Sequence, residues 1–162
     1  MSEPSLFVPP IYAAERPAEI VDQHPFALLV TAGAGGVHAT STPIFFARDD
    51  GRESLVGHMA RRNPHAAALE DGQPALAVFW GPHAYISSRW YEEKPEVPTW
   101  NYVQAHVRGR LTPIDDPEGQ LAVLRRSAEI VERKGEPPWT LETARERVDF
   151  LLPYIRSFAI EV

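Results

Sequence analysis

The sequence predicts a mainly β protein, an antiparallel barrel of six or seven strands with helices on its periphery. Short apolar or alternating runs bounded by turn residues recur up to about residue 112. Helical periodicity is concentrated after Asp115. No strand–helix–strand alternation calls for a parallel sheet. At 162 residues the chain is expected to form one domain over residues 1–162, large enough to bury a core without cross-links.

Arg16 to His24 reads as a short helix, and Phe26 to Thr31 as a buried strand too short for a long helix. Ala32-Gly33-Ala34-Gly35-Gly36 then turns the chain, its glycines permitting positive φ, so that Val37 to Thr42 returns as a hairpin partner. This glycine run lacks both the Lys-Ser/Thr of a P-loop and the spacing of a dinucleotide fingerprint. Ile44 to Ala47 and Ser54 to His58 form the next hairpin across Arg48-Asp49-Asp50-Gly51-Arg52. Asn63 caps and Pro64 opens a helix that is expected to reach about Glu70. Ala75 to Trp80 and Asn101 to Thr112 are further strands.

A helical pair is expected at about residues 116–155. Asp116 and Pro117 start the first helix, whose apolar stripe is Leu121, Leu124, Ala128 and Val131, and Gly135 ends it. After the rigid connector Glu136-Pro137-Pro138-Trp139, Thr140 can cap a second helix carrying Leu141, Ala144, Val148, Leu151 and Leu152. Ser157 to Val162 alternates as a terminal strand. The 16 prolines stiffen the loops, and no repeat or low-complexity tract interrupts the chain.

Composition excludes several function classes. There is no cysteine, hence no disulfide, thiolate metal site or cysteine nucleophile. No run approaches the roughly 18 apolar residues of a membrane span, and Met1-Ser2-Glu3-Pro4 lacks a secretory n-region, so the expected compartment is the cytoplasm. The formal net charge is −6, with 22 acidic against 16 basic residues, which argues against direct nucleic-acid binding. The basic candidates Arg61-Arg62, Arg125-Arg126 and Arg145 with Arg147 are too short to form a stripe.

Six histidines are present, but neither His-Glu-x-x-His spacing nor a facial triad with a carboxylate occurs, so no metal site is expected. No Gly-x-Ser-x-Gly elbow supports a hydrolase triad. No catalytic residue is assigned.

One stretch points to a ligand. Val97-Pro98-Thr99-Trp100-Asn101-Tyr102 brings indole, amide and phenol to the mouth of a strand. Such planar groups beside amide donors suit a flat heteroaromatic ligand with hydrogen-bonding edges. A second segment, Gly57-His58-Met59-Ala60-Arg61-Arg62-Asn63-Pro64, ends a strand and opens a helix, which predicts unpaired backbone N–H groups beside two cations and so a phosphate site. A third, Gly81-Pro82-His83-Ala84-Tyr85-Ile86-Ser87-Ser88-Arg89-Trp90-Tyr91, adds further aromatic groups.

In this order and spacing the three segments resemble the PaiB family, described as FMN-binding negative transcriptional regulators, from about Phe7 to Val162. The resemblance implies an FMN-binding split β-barrel, antiparallel and of Greek-key type, similar to the pyridoxamine-phosphate oxidases. It implies FMN as the cofactor, with His58, Met59, Arg61, Arg62 and Asn63 at the phosphate corner and Thr40, Ser41 and Thr42 beside the ring. It further implies a homodimer in which Trp90, Trp100, Asn101 and Tyr102 wall the slot from the neighbouring subunit. The family usually reads Ala-Thr-His-Leu-Pro where this chain has Ala39-Thr40-Ser41-Thr42-Pro43, and often has a small residue at Arg62. It usually continues into a basic tail with a Lys-Leu-Ser-Gln-Asn type motif, whereas this sequence stops at Val162.

The expected function is that of a flavin-dependent redox protein or sensor with a role in negative transcriptional regulation. The alternative is a repressor that contacts DNA directly. The late helices carry Glu118, Glu129, Glu132, Glu142 and Glu146 among their cations and no basic recognition helix, which favours the flavin reading.

Overall fold

The computed structural model describes residues 6–49, 52–133, 135–137 and 139–162. Met1 to Pro4, the tip Asp50-Gly51 of the second expected turn, and Pro138 of the expected connector lie outside them. Six antiparallel strands close a barrel: β1 (Phe26–Gly33), β2 (Gly36–Asp49), β3 (Arg52–Ala60), β4 (Gln73–Ile86), β5 (Thr99–Ile114) and β6 (Ile155–Glu161). Their order around the ring is β1-β2-β3-β6-β5-β4, so β4 crosses back to β1 and the last strand inserts between β3 and β5. This is the antiparallel barrel that the early hairpins and late helices lead one to expect, in the Greek-key order that the family resemblance implies.

The alternation of the strands builds the core. Leu29, Ile44, Leu55, Ala77, Phe79, Leu111, Phe158 and Ile160 are wholly enclosed. Helix α1 (Pro17–Gln23) adds Val21 to the same cluster. In the first hairpin Gly36 has φ +102°, the left-handed region that glycine enters without Cβ strain.

Two segments expected as separate strands are one. β2 runs unbroken through Pro43, its first half paired with β1 and its second with β3. The proline stands where the ladder changes partner, so its missing N–H costs little there. Likewise β4 and β5 outrun the barrel. Beyond a register shift between Trp80 and His83, residues His83–Ile86 pair only with Thr99–Tyr102, forming a two-stranded arm.

The expected helix at residues 64–70 is a single turn, α2 (Pro64–Ala67). α3 (Pro117–Val131) starts as expected, with Asp116 accepting from the Gly119 N–H at 2.7 Å. Its most buried residues, however, are Gln120 and Val123 rather than the Leu121 to Val131 stripe, because Leu124, Ala128 and Val131 face a cavity. Thr140 makes no side-chain cap, and the second late helix is a short α4 (Arg145–Leu151) with a 3-10 turn at each end. Among the described residues no helix is long and apolar enough to cross a membrane.

Candidate functional site

The corner after β3 is built by local sequence. The strand ends at Ala60, Arg61 and Arg62 turn the chain, and Asn63 caps α2 by accepting from the His65 N–H at 3.0 Å. The Asn63 amide also donates to the Thr40 hydroxyl at 3.1 Å, which ties the corner to β2. Alternation along β2 turns Thr40 and Thr42 away from the outer face that carries Ser41. Thr42 is buried and its hydroxyl donates to the His58 carbonyl at 2.5 Å.

Beneath the corner lies a network that the sequence reading did not anticipate. His65 is 2 % exposed, and its Nδ1 and Nε2 lie 2.9 Å from the hydroxyls of Thr40 and Thr31 respectively. His38 stacks on it, centroids 5.4 Å apart. Burial first, and the charge of His38 second, lower the His65 pKa below its ordinary value. The network thus favours a neutral ring.

The two corner arginines differ. Arg61 donates through Nε to the Ile155 carbonyl at 3.0 Å and through a terminal nitrogen to Asp115 at 3.3 Å. Asp115 also receives Arg156 at 2.8 Å, and Arg156 in turn donates to the Ala66 and Leu69 carbonyls at 2.5 and 3.3 Å. The Arg156 hydrogen bond is the main cause that holds the Asp115 carboxyl below its usual range, with Arg61 adding to it. Arg62, by contrast, has no hydrogen bond or ion pair among the described residues. Three guanidiniums against one carboxylate leave the corner two positive charges in excess.

The expected supply of free backbone N–H groups is smaller than the sequence implies. The Arg61 N–H donates to Tyr154, the Asn63 N–H to Ala60, and His65 and Ala66 are taken by Asn63. Among the described residues from Arg61 to Ala66, the N–H of Arg62 is the one left without a partner, since Pro64 has none. A one-turn helix also sums little dipole, so side chains must supply the attraction for an anion.

The aromatic group sits on the arm. Trp90 is in a 3-10 turn past β4, and Trp90, Trp100, Asn101 and Tyr102 are all exposed. Trp100 stacks on His83 with centroids 5.9 Å apart and leans on Tyr85 at 6.0 Å. Among the described residues no hydrogen bond or ring contact joins these four to Arg61, Arg62 or Asn63.

Residues 6–162 match the family described as "Putative FMN-binding domain". This chain belongs to that family. It is 34% identical over 116 residues to the protease synthase and sporulation protein PAI 2 of Bacillus subtilis (strain 168), an alignment covering 70% of this chain and 56% of that protein. The chain therefore spans little more than half the length of that relative.

The fold of this FMN-binding-domain member is shared with solved structures. The FAD and heme binding protein from Mycobacterium smegmatis superposes with a TM-score of 0.61 at 22% identity, over 93% of this chain and 66% of that one. The flavocytochrome Anf3 from Azotobacter vinelandii gives 0.62 at 14%, over 96% and 68%. The resemblance read from the three motifs is thus a true membership, and the split-barrel expectation holds.

Within this family member, two expected site residues are placed differently from the motif reading. Met59 is 4 % exposed and belongs to the barrel core, because the pleat of β3 turns it inward between His58 and Ala60. His58 points outward but into the cavity under α3, short of the Arg61 to Asn63 turn. The missed residues are Thr31, His65, Asp115 and Arg156. Only His65 carried a local signal, its place one residue after the capping pair Asn63-Pro64.

Proposed function

We propose that this protein binds FMN, with the terminal phosphate at the β3–α2 corner and the ring beside Thr40, Ser41 and Thr42, and that it acts as a flavin-dependent redox protein or sensor. The observation that carries the reading is Arg62, an unengaged guanidinium at a corner with two positive charges in excess. One phosphate monoester carries about −1.5 to −2 charges at pH 7, so the donor set fits its charge. Arg61, held by Ile155 and Asp115, positions the turn, while Arg62 and its N–H bind. Bound flavin would supply electron and hydride acceptance, which no side chain here offers.

Titration of the purified protein with FMN, followed by flavin fluorescence, tests this. Arg62→Ala is expected to weaken binding by about 1.5 to 3 kcal/mol, roughly ten- to hundredfold, through loss of a charge-assisted contact. Riboflavin, which lacks the phosphate, should bind the parent protein about as poorly. Equal affinity for FMN and riboflavin would reject the phosphate corner.

The active form is proposed to be a homodimer, supported by the arm. Trp80, Tyr85, Trp90, Trp100 and Tyr102 are each at least half exposed on and beside the arm, where the ends of β4 and β5 pair only with each other. An aromatic surface of this kind marks an interface. Light scattering should give about twice the 18.1 kDa chain mass, and Trp100→Ala should lower both the dimer fraction and FMN affinity. A monomer that still binds FMN tightly would contradict it.

The role in negative transcriptional regulation is proposed to be indirect. Arg125 pairs with Glu142, Arg126 with Glu129 and Arg145 with Asp149, while Arg147 lies over the Phe150 ring. These candidate DNA contacts are already engaged within the chain.

A further inference from the structure

Beside the corner lies a cavity that the flavin reading does not use. It has a volume of about 400 Å3 and opens between the outer face of β2 and β3 and the late helices. Phe45, Leu124, Val148 and Leu152 give it apolar walls, and Ile155, whose carbonyl receives Arg61, stands between it and the corner.

Against these walls stands the imidazole of His58. Its Nδ1 is enclosed without a partner, and Nε2 also has no hydrogen bond among the described residues. The hydroxyl of Ser127, which also lines the space, is committed to the Val123 carbonyl at 2.9 Å. Burial lowers the His58 pKa, so the ring is neutral near pH 7 and carries one N–H and one free lone pair.

We propose that this cavity binds a small neutral aromatic molecule of one or two rings bearing a hydroxyl, its ring against the apolar walls and its hydroxyl on the unengaged imidazole of His58. The volume lies within the roughly 300 to 1,000 Å3 of small-molecule pockets. Walls this apolar favour an apolar ligand, whose burial removes hydrocarbon surface from water. An ionised ligand would lose its hydration among hydrocarbon walls, which selects a neutral one. His58 is the enclosed polar group without a partner, while the Glu132 carboxylate on the lining is exposed to solvent and disfavours an anion, so the imidazole gives the ligand its orientation.

The experiment is calorimetric titration with 1-naphthol, in the absence and presence of saturating FMN. The parent protein should bind it with a Kd of roughly 10 to 500 µM in both conditions. His58→Phe, which keeps the ring and removes its nitrogens, should weaken binding about tenfold. Ala128→Trp should abolish it by filling the space, and Leu151→Trp, at the more exposed rim, does the same test if the first variant fails to fold.

No binding by the parent, undiminished binding in the folded Trp variant, or a loss under threefold in His58→Phe overturns the proposal. So does displacement of 1-naphthol by FMN, which would hand the cavity to the flavin ring. Failure of FMN to bind while 1-naphthol binds as expected overturns only the flavin reading.

Discussion

Gly109→Ala is expected to lower stability by about 3 kcal/mol or more, the largest effect of a glycine-to-alanine change at the described barrel glycines. A Cβ built at Gly109 would lie 2.0 Å from the Glu161 carbonyl oxygen and 2.7 Å from Ile160 Cγ2. These are main-chain and enclosed core atoms of β6, so no flexible side-chain end can swing aside. The clash falls beside the seam where Arg110 faces Glu161 and β6 joins β5. Parting that seam opens the ring at the strand carrying Phe158 and Ile160.

Thermal unfolding by circular dichroism reads this as a fall of about 6 to 12 °C for a chain of this size. Gly33→Ala is the control, since a Cβ there meets nothing within 4 Å. Similar melting temperatures for the two variants would show that β6 shifts freely and that the seam is not tight.

The pattern of clashes also explains what was legible. Period-two alternation is a local property, so every strand could be found from its neighbours in sequence. Where a strand continues depends on its partners. Pro43 reads as a break because a proline cannot donate to a ladder, and only the switch of β2 from β1 to β3 shows that no donor is required there. The arm was shortened in the same way by Gly81-Pro82, which the register shift accommodates. The α3 stripe was misplaced because helical periodicity finds an apolar face without saying whether it meets a wall or a cavity.

The corner divides along the same line. Asn63-Pro64 is a capping signal contained in adjacent residues, and it is found capping. The difference between Arg61 and Arg62 is not contained there. It comes from Asp115, 54 residues away, and from the Ile155 carbonyl, 94 away. No spacing rule joins such positions, so two adjacent arginines read alike in sequence and part only when the barrel closes. Met59 is a milder case. The pleat that turns His58 and Ala60 to the outer side of the barrel wall must turn the residue between them inward.

His65→Ala is expected to cost about 2 to 4 kcal/mol, because it removes a buried ring and strands the polar groups around it. The hydroxyl of Thr31, 2 % exposed, loses the Nε2 partner at 2.9 Å, and Thr40 keeps only Asn63. The stack with His38 is lost as well. The pH dependence separates this network from mere loss of volume. The folded pKa of His65 lies below the unfolded value near 6.5, so the unfolded chain takes up the proton first. Stability from His65 is therefore full above pH 6.5 and declines as pH falls below it.

His58 and His106 are lowered too and give slopes of the same sign, whereas the lowered carboxyls of Asp115 and Glu142 titrate further down. Urea unfolding at pH 7.5 and 5.5 should thus show a smaller penalty for His65→Ala at the lower pH. A penalty that does not change between the two would mean that His65 titrates alike in the folded and unfolded chain, and that burial beside His38 does not hold it neutral.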